Sequence, residues 1–269
     1  MAGKNYLMES EEEALRLDRK TDEDAVLRQA RWAGVARGMR LADLGCGSGK
    51  TTSVLHGLVG PVGEAVGVDI SEERISFARE RYPAPGLEFR SADIRKPLDG
   101  LGTFDCLWVR FVLEYYLRGS LDIVRNITGS LRPGGLLCLL DLDNNCLCHY
   151  EMPDRLERTL HLVMGALAEK ANFDAYAGRK LYSYLLDLGY RDIRVTVEGH
   201  HLIYGELRES DAFNWMKKIE VAPKKIGFVF EEYRGGFEEF REEFDRFFGD
   251  PRRFTYSPLV VAAGRKADP

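Results

Sequence analysis

The run Arg40-Leu41-Ala42-Asp43-Leu44-Gly45-Cys46-Gly47-Ser48-Gly49-Lys50-Thr51-Thr52 constrains the chain more than any other segment. It reads as a strand, a turn of alternate glycines and a helix start. Three glycines let the backbone turn sharply and come close to a ligand, because no side chain blocks the approach. Three nucleotide-binding patterns compete for such a turn. The dinucleotide pattern G-x-G-x-x-G fails, since its last position counted from Gly45 is Lys50. The triplet Gly49-Lys50-Thr51 imitates a P-loop, but a P-loop needs glycine at position 44, where Leu44 stands. The pattern that remains is D-x-G-x-G-x-G, beginning at Asp43.

The rest of the chain places this turn in a repeating context. Short apolar runs at 40–44, 65–69, 87–92, 104–109 and 135–140 alternate with helical stretches after Lys50, Ser71 and Leu121. That alternation signals βαβ units, a parallel sheet and an α/β doubly wound, Rossmann-like domain. Before it, Ser10 with Glu13 and Thr21 with Asp24 match the capping box, which predicts two helices within residues 1–37. After it, Leu156, Leu160, Val163, Met164, Leu167 and Ala171 form a helical stripe where a short connection would suffice, an insertion at about 150–172. A helix over 179–188 and strands over 193–203 and 256–263 close the chain. Between those strands lies a second insertion at about 206–250. There Ala212, Phe213, Met216 and Ile219 make one stripe and Phe237, Phe240, Phe244 and Phe247 another, all read as core. The domain thus runs from 38 to 269, with the two insertions forming a lid.

Composition removes whole classes of function. The chain has 269 residues, 45% hydrophobic and 30% charged, with net charge −5, which excludes a disordered chain and does not advertise a nucleic-acid partner. Its longest apolar run, around 136–140, is far short of a membrane span, and 1–13 lacks an apolar signal-peptide core. A cytoplasmic protein without membrane insertion is expected. Five cysteines at 46, 106, 138, 146 and 148 fit a reducing compartment. Cys146-Leu147-Cys148-His149 lacks the second ligand pair of a zinc site, so no metal is expected.

With its glycine turn and strand-end acids, the chain resembles the class I methyltransferases that use S-adenosylmethionine, from about Gly38 to the end. The resemblance implies a seven-stranded sheet and that cofactor. It places Gly45, Cys46, Gly47 and Gly49 under the methionine and ribose part, and Asp43 beneath the loop near the amino group. Asp69, at the tip of the second strand, matches the acid that accepts the ribose hydroxyls, with Ile70 as an apolar wall. Asp93, followed by Ile94, matches the residue that receives the adenine amine; a carboxylate suits that donor. Each acid alone is more often a helix cap or a solvated surface charge, but three at successive strand tips face one crevice. Arg110 and Phe111, after the fourth strand, match the segment that meets the methionine end, where Arg110 is open to two roles: pairing the cofactor carboxylate or an acid at the sheet edge. Leu131-Arg132-Pro133-Gly134-Gly135 matches the helix-ending turn before the fifth strand. Tyr6, in Lys4-Asn5-Tyr6-Leu7-Met8, is a cofactor-lid candidate or a surface anchor for the first helix.

Methyl transfer needs chiefly an aligned nucleophile and, for some oxygen and nitrogen acceptors, a base within hydrogen-bond reach. By position the candidates are Glu114, Tyr115, Asp143 and His149. Neither insertion carries a dense Lys/Arg cluster with aromatics, and the Asn/Asp-Pro-Pro-aromatic signature of adenine or amide-nitrogen acceptors is replaced by Arg110-Phe111-Val112-Leu113. A small-molecule acceptor is therefore favoured. The alternatives are a cofactor-binding regulatory module without catalysis, a protein or lipid methyltransferase, and, against the missing dinucleotide pattern, an NAD(P) oxidoreductase.

Overall fold

Strand side chains alternate between two faces, and here both faces are covered, so the central strands are apolar throughout. The computed structural model describes residues 13–268. Among them, β1 (Arg40–Leu44), β2 (Glu64–Asp69), β3 (Leu87–Ser91), β4 (Phe104–Arg110), β5 (Leu131–Leu142), β6 (Cys148–His149), β7 (Arg191–Tyr204) and β8 (Phe254–Arg265) form one sheet. Its order is β3-β2-β1-β4-β5-β8, with β7 on the far edge of β8. The first five strands are parallel, and β8 enters antiparallel to β5. Two-residue β6 pairs with Thr255 and Tyr256, continuing the lane of β5. The result is a doubly wound sheet of seven lanes.

On one face Leu44, Leu107, Val109, Leu137 and Leu139 pack on α5 (Ser120–Thr128) and α7 (Leu181–Asp187). On the other, Leu41, Trp108, Cys138, Leu140 and Val261 pack on α2 (Glu23–Ala33) and α3 (Lys50–Val59). α4 (Glu72–Arg81) covers β3 through Ile75, Ala78 and Phe89. A separate core joins α6 (Asp154–Ala171), α8 (Glu209–Lys225) and α9 (Gly236–Gly249), centred on Leu156, Leu160, Trp215, Phe240 and Phe244. This helical lobe is built from the two stretches that break the βα rhythm.

Three local expectations shift. The second helix is capped by Asp22, which accepts from the Ala25 amide at 3.1 Å, while Thr21 Oγ1 donates back to the Leu17 carbonyl at the end of α1 (Glu13–Lys20). The carboxylate is the better acceptor for a free helix amide, so the cap lies one residue beyond the Thr21–Asp24 pairing; Ser10 lies outside the described residues. The helix before β5 ends at Gly129, not in the turn at 131–135. Leu131 already pairs with Phe104, and the residues up to Leu136 absorb a register shift, with Gly134 at φ 68°. In α8 the inward stripe is Trp215, Ile219 and Ala222, and Phe213 is 59% exposed. The large indole displaces the phase that Phe213 set in the sequence. In α9, Phe240, Phe244 and Phe247 are buried, together with Phe248.

Candidate active site

The glycine turn leaves β1 at the carboxyl end of the parallel strands. Gly45 sits at φ 86°, and a Cβ there would lie 2.3 Å from Val112 Cγ2. Only glycine therefore lets this peptide pass against the segment that follows β4. Beneath the loop, Asp43 is buried and accepts from Thr52 Oγ1 at 2.7 Å. Burial pushes its carboxyl up to about 7, with Thr52 and the Arg110 charge opposing.

A cavity of about 770 Å³ opens above this turn. Pockets of roughly 300–1,000 Å³ hold cofactor-sized ligands. Gly45, Cys46 and Gly47 form its floor, and Asp69, Ile70, Asp93 and Ile94 line it from the tips of β2 and β3. Arg110 and Phe111 come from the end of β4, and Glu114 and Tyr115 from the 3₁₀ turn Leu113–Tyr115. Asp43 and Gly49 are not in the wall. Tyr6 lies outside the described residues.

Asp69 is the hub. Its Oδ2 accepts from the Gly47 amide at 2.9 Å, while Oδ1 takes the Ser71 amide at 2.9 Å and Arg74 Nη2 at 3.0 Å. Acceptor capacity toward a further hydroxyl therefore remains chiefly on Oδ2. Asp93 is gripped by Arg95, Nε to Oδ1 and Nη2 to Oδ2, both 2.8 Å, and this fork holds its carboxyl below the usual range. Arg110 is different. It stacks on the Phe111 ring at 4.1 Å, its Nε is buried without a hydrogen-bond partner, and among the described residues no carboxylate lies within ion-pair distance. Burial pushes the guanidinium down to about 10. Phe111, at φ 57°, holds the left-handed conformation that turns the chain from β4 into the 3₁₀ turn.

Glu114 is buried, accepts from Asn145 Nδ2 at 2.8 Å, and is raised by burial against the opposing charges of Lys20 and Lys218. His149 stands apart from the cavity. Its ring nitrogens meet Thr255 Oγ1 at 2.8 Å and the Cys146 carbonyl at 3.1 Å, and it packs edge-on against Trp215 and Phe247. Because β6 turns it into the helical lobe, both nitrogens are already engaged. Asp143 pairs with Arg179 at 2.7 Å. The five cysteines are free thiols, and no cluster suited to a metal ion occurs among the described residues. Sequence reading missed His200, from β7, and Lys20 and Lys218, from α1 and α8, which also line the cavity. No motif marks them, since they come from elements far apart in the chain.

Residues 42–139 match the family model described as a methyltransferase domain. That stretch is about a third of the chain, and in it the chain is similar to methyltransferase domains. Its sequence is 30% identical over 172 residues to a trans-aconitate 2-methyltransferase of Variovorax paradoxus, covering 61% of each chain. It is 34% identical over 113 residues to a ubiquinone/menaquinone biosynthesis C-methyltransferase of Pseudomonas fluorescens, covering 40% of this chain and 44% of that one. The chain thus spans about three fifths of the first relative and less than half of the second. Its fold is similar to that of phosphoethanolamine N-methyltransferase 2 of Haemonchus contortus, solved in complex with S-adenosyl-L-methionine. The TM-score is 0.53 at 15% identity, covering 91% of this chain and 52% of the other.

Proposed function

We propose that this protein transfers a methyl group from S-adenosylmethionine to a small-molecule acceptor. The observation that carries the reading is the meeting, in one cavity, of the glycine turn, two strand-tip acids and the Arg110 guanidinium, which has no ion-pair partner among the described residues. The residues fit that cofactor. A bare backbone at Gly45 admits close approach, and a buried guanidinium without a counter-ion among the described residues suits a ligand carrying a carboxylate.

When bound, the cofactor supplies a sulfonium-activated methyl group, open to a single in-line displacement. The chain's part is positioning. Asp69 Oδ2 orients the ribose, Asp93 receives the adenine amine, and Ile70 and Ile94 supply apolar walls. Arg110 pairs with the carboxylate of the methionine moiety. Beyond the strand ends, Glu114 and Tyr115 lie where an acceptor would sit, and the upward push on the Glu114 carboxyl makes it the better base. The trans-aconitate relative is named for a small acceptor, which supports the same class here. The unbridged thiols fit a reducing compartment, and we place the activity in the cytoplasm.

Calorimetric titration with S-adenosylhomocysteine tests this reading. Wild-type protein binds it, and Asp69→Ala weakens binding by about 1–3 kcal/mol. Absence of binding by the wild type overturns the proposal. Binding without transfer of labelled methyl to any member of a metabolite panel replaces it with a cofactor-binding regulatory module.

A further inference from the structure

The cavity has two electrostatic ends. Asp69 and Asp93 mark the nucleoside end. At the other, Lys20 closes α1 and Lys218 projects from α8, and both line the wall together with Arg110. Neither lysine has a carboxylate within ion-pair distance among the described residues. Lys218 Nζ meets Cys146 Sγ, at 3.8 Å, and the Trp215 ring, 4.9 Å from its centroid. The cations are close enough to repel one another. Lys20 is pushed down to about 7, first by burial and then by Lys218, Arg16 and Arg110. The carboxylate that offsets them is Glu114. Under the methyl-transfer reading Arg110 is taken by the cofactor's own carboxylate, so two ammonium groups with the single carboxylate of Glu114 leave excess positive charge beside an incoming sulfonium. Half-buried like charges of this kind call for a counter-anion. The adjoining wall, with Met164, Leu167, Phe173 and Ala222, is apolar.

We propose that the methyl acceptor is a small organic anion whose charged group seats between Lys20 and Lys218, with its apolar body against the helical lobe. The inference rests on the methyl-transfer reading and deepens it by naming the substrate class. Carboxylate and phosphate share the required chemistry, and the test separates them.

Protein saturated with S-adenosylhomocysteine is titrated with succinate, citrate and glycerol 3-phosphate, and with dimethyl succinate as the neutral control. At least one anion binds, dimethyl succinate does not, and the probe that binds identifies carboxylate or phosphate. Lys20→Met and Lys218→Met each raise the Kd of that anion tenfold or more, and Lys218→Arg restores most of it. Both Met variants hold S-adenosylhomocysteine within twofold of wild type, which also shows that they fold. The proposal is overturned if no anion binds the loaded wild type, if the ester binds equally, or if the Met variants leave anion affinity unchanged. It is equally overturned if they weaken S-adenosylhomocysteine as much, since the lysines then hold the cofactor. Failure of the wild type to bind S-adenosylhomocysteine at all sinks the methyl-transfer reading instead, and this inference with it.

Discussion

Asp141 Oδ2 accepts the backbone amide of Glu114 at 3.1 Å, so a buried acid at the end of β5 holds in place the turn that carries a second buried acid into the cavity. Asp141 also takes the Leu142 amide at 3.0 Å. Burial raises its carboxyl well above the usual range, and the Glu114 charge raises it further. Both acids therefore contribute stability below their unfolded values, near 4, and lose it as pH rises through the higher folded ones. Glu114→Gln removes one of these titrations and relieves the other. Its melting temperature relative to wild type should climb as pH increases from about 4 to 8, read by calorimetry. Parallel curves would show that the Glu114 carboxyl titrates alike in the folded and unfolded chain.

Gly45→Ala should destabilise the fold. The left-handed conformation costs an alanine about 1–2 kcal/mol, and the contact with Val112 adds to that. Urea denaturation of Gly45→Ala in a Val112→Ala background should recover the contact part alone. Full recovery would mean that the backbone conformation carries no strain.

Arg110→Met separates stability from binding. Removing a buried guanidinium with no ion pair among the described residues should leave the melting temperature equal or higher. Loss of the charge-assisted pair should weaken S-adenosylhomocysteine by about 1.5–3 kcal/mol and leave adenosine binding unchanged. Equal weakening of both ligands would place Arg110 elsewhere than at the carboxylate.

His149 gives a pH signature of the opposite sign. Burial pushes its imidazole down to about 4, so between about 4 and 6.5 the unfolded chain binds the extra proton. The stability of wild type relative to His149→Gln should be highest above pH 6.5 and fall as pH drops to 4. Denaturant unfolding across that range measures it, and a constant difference would show that the ring titrates normally. Turnover should survive the substitution, because the ring lies outside the cavity wall.

Much of the frame was legible before any coordinates. Strands at 40–44 and 104–109 and the helix from Lys50 were marked by apolar runs and glycine punctuation, which are local signals. The strand-tip acids followed from the same rhythm, and Asp69 and Asp93 do line one cavity. Phase within the lobe was less legible. Phe213 and Trp215 are both aromatic, and only packing against Phe244 and Phe248 decides which one turns inward.

The sequence by itself determined the βα order and the glycine turn, because periodicity and local backbone chemistry act over a few residues. Tertiary structure alone decided that His149 turns into the helical lobe, that Arg110 has no ion-pair partner among the described residues, and that Lys20 and Lys218 face one another's charge across nearly two hundred residues of chain. The physical reason is common to all three: burial, pairing and repulsion are set by neighbours in space, and no spacing in the sequence encodes which neighbours those are.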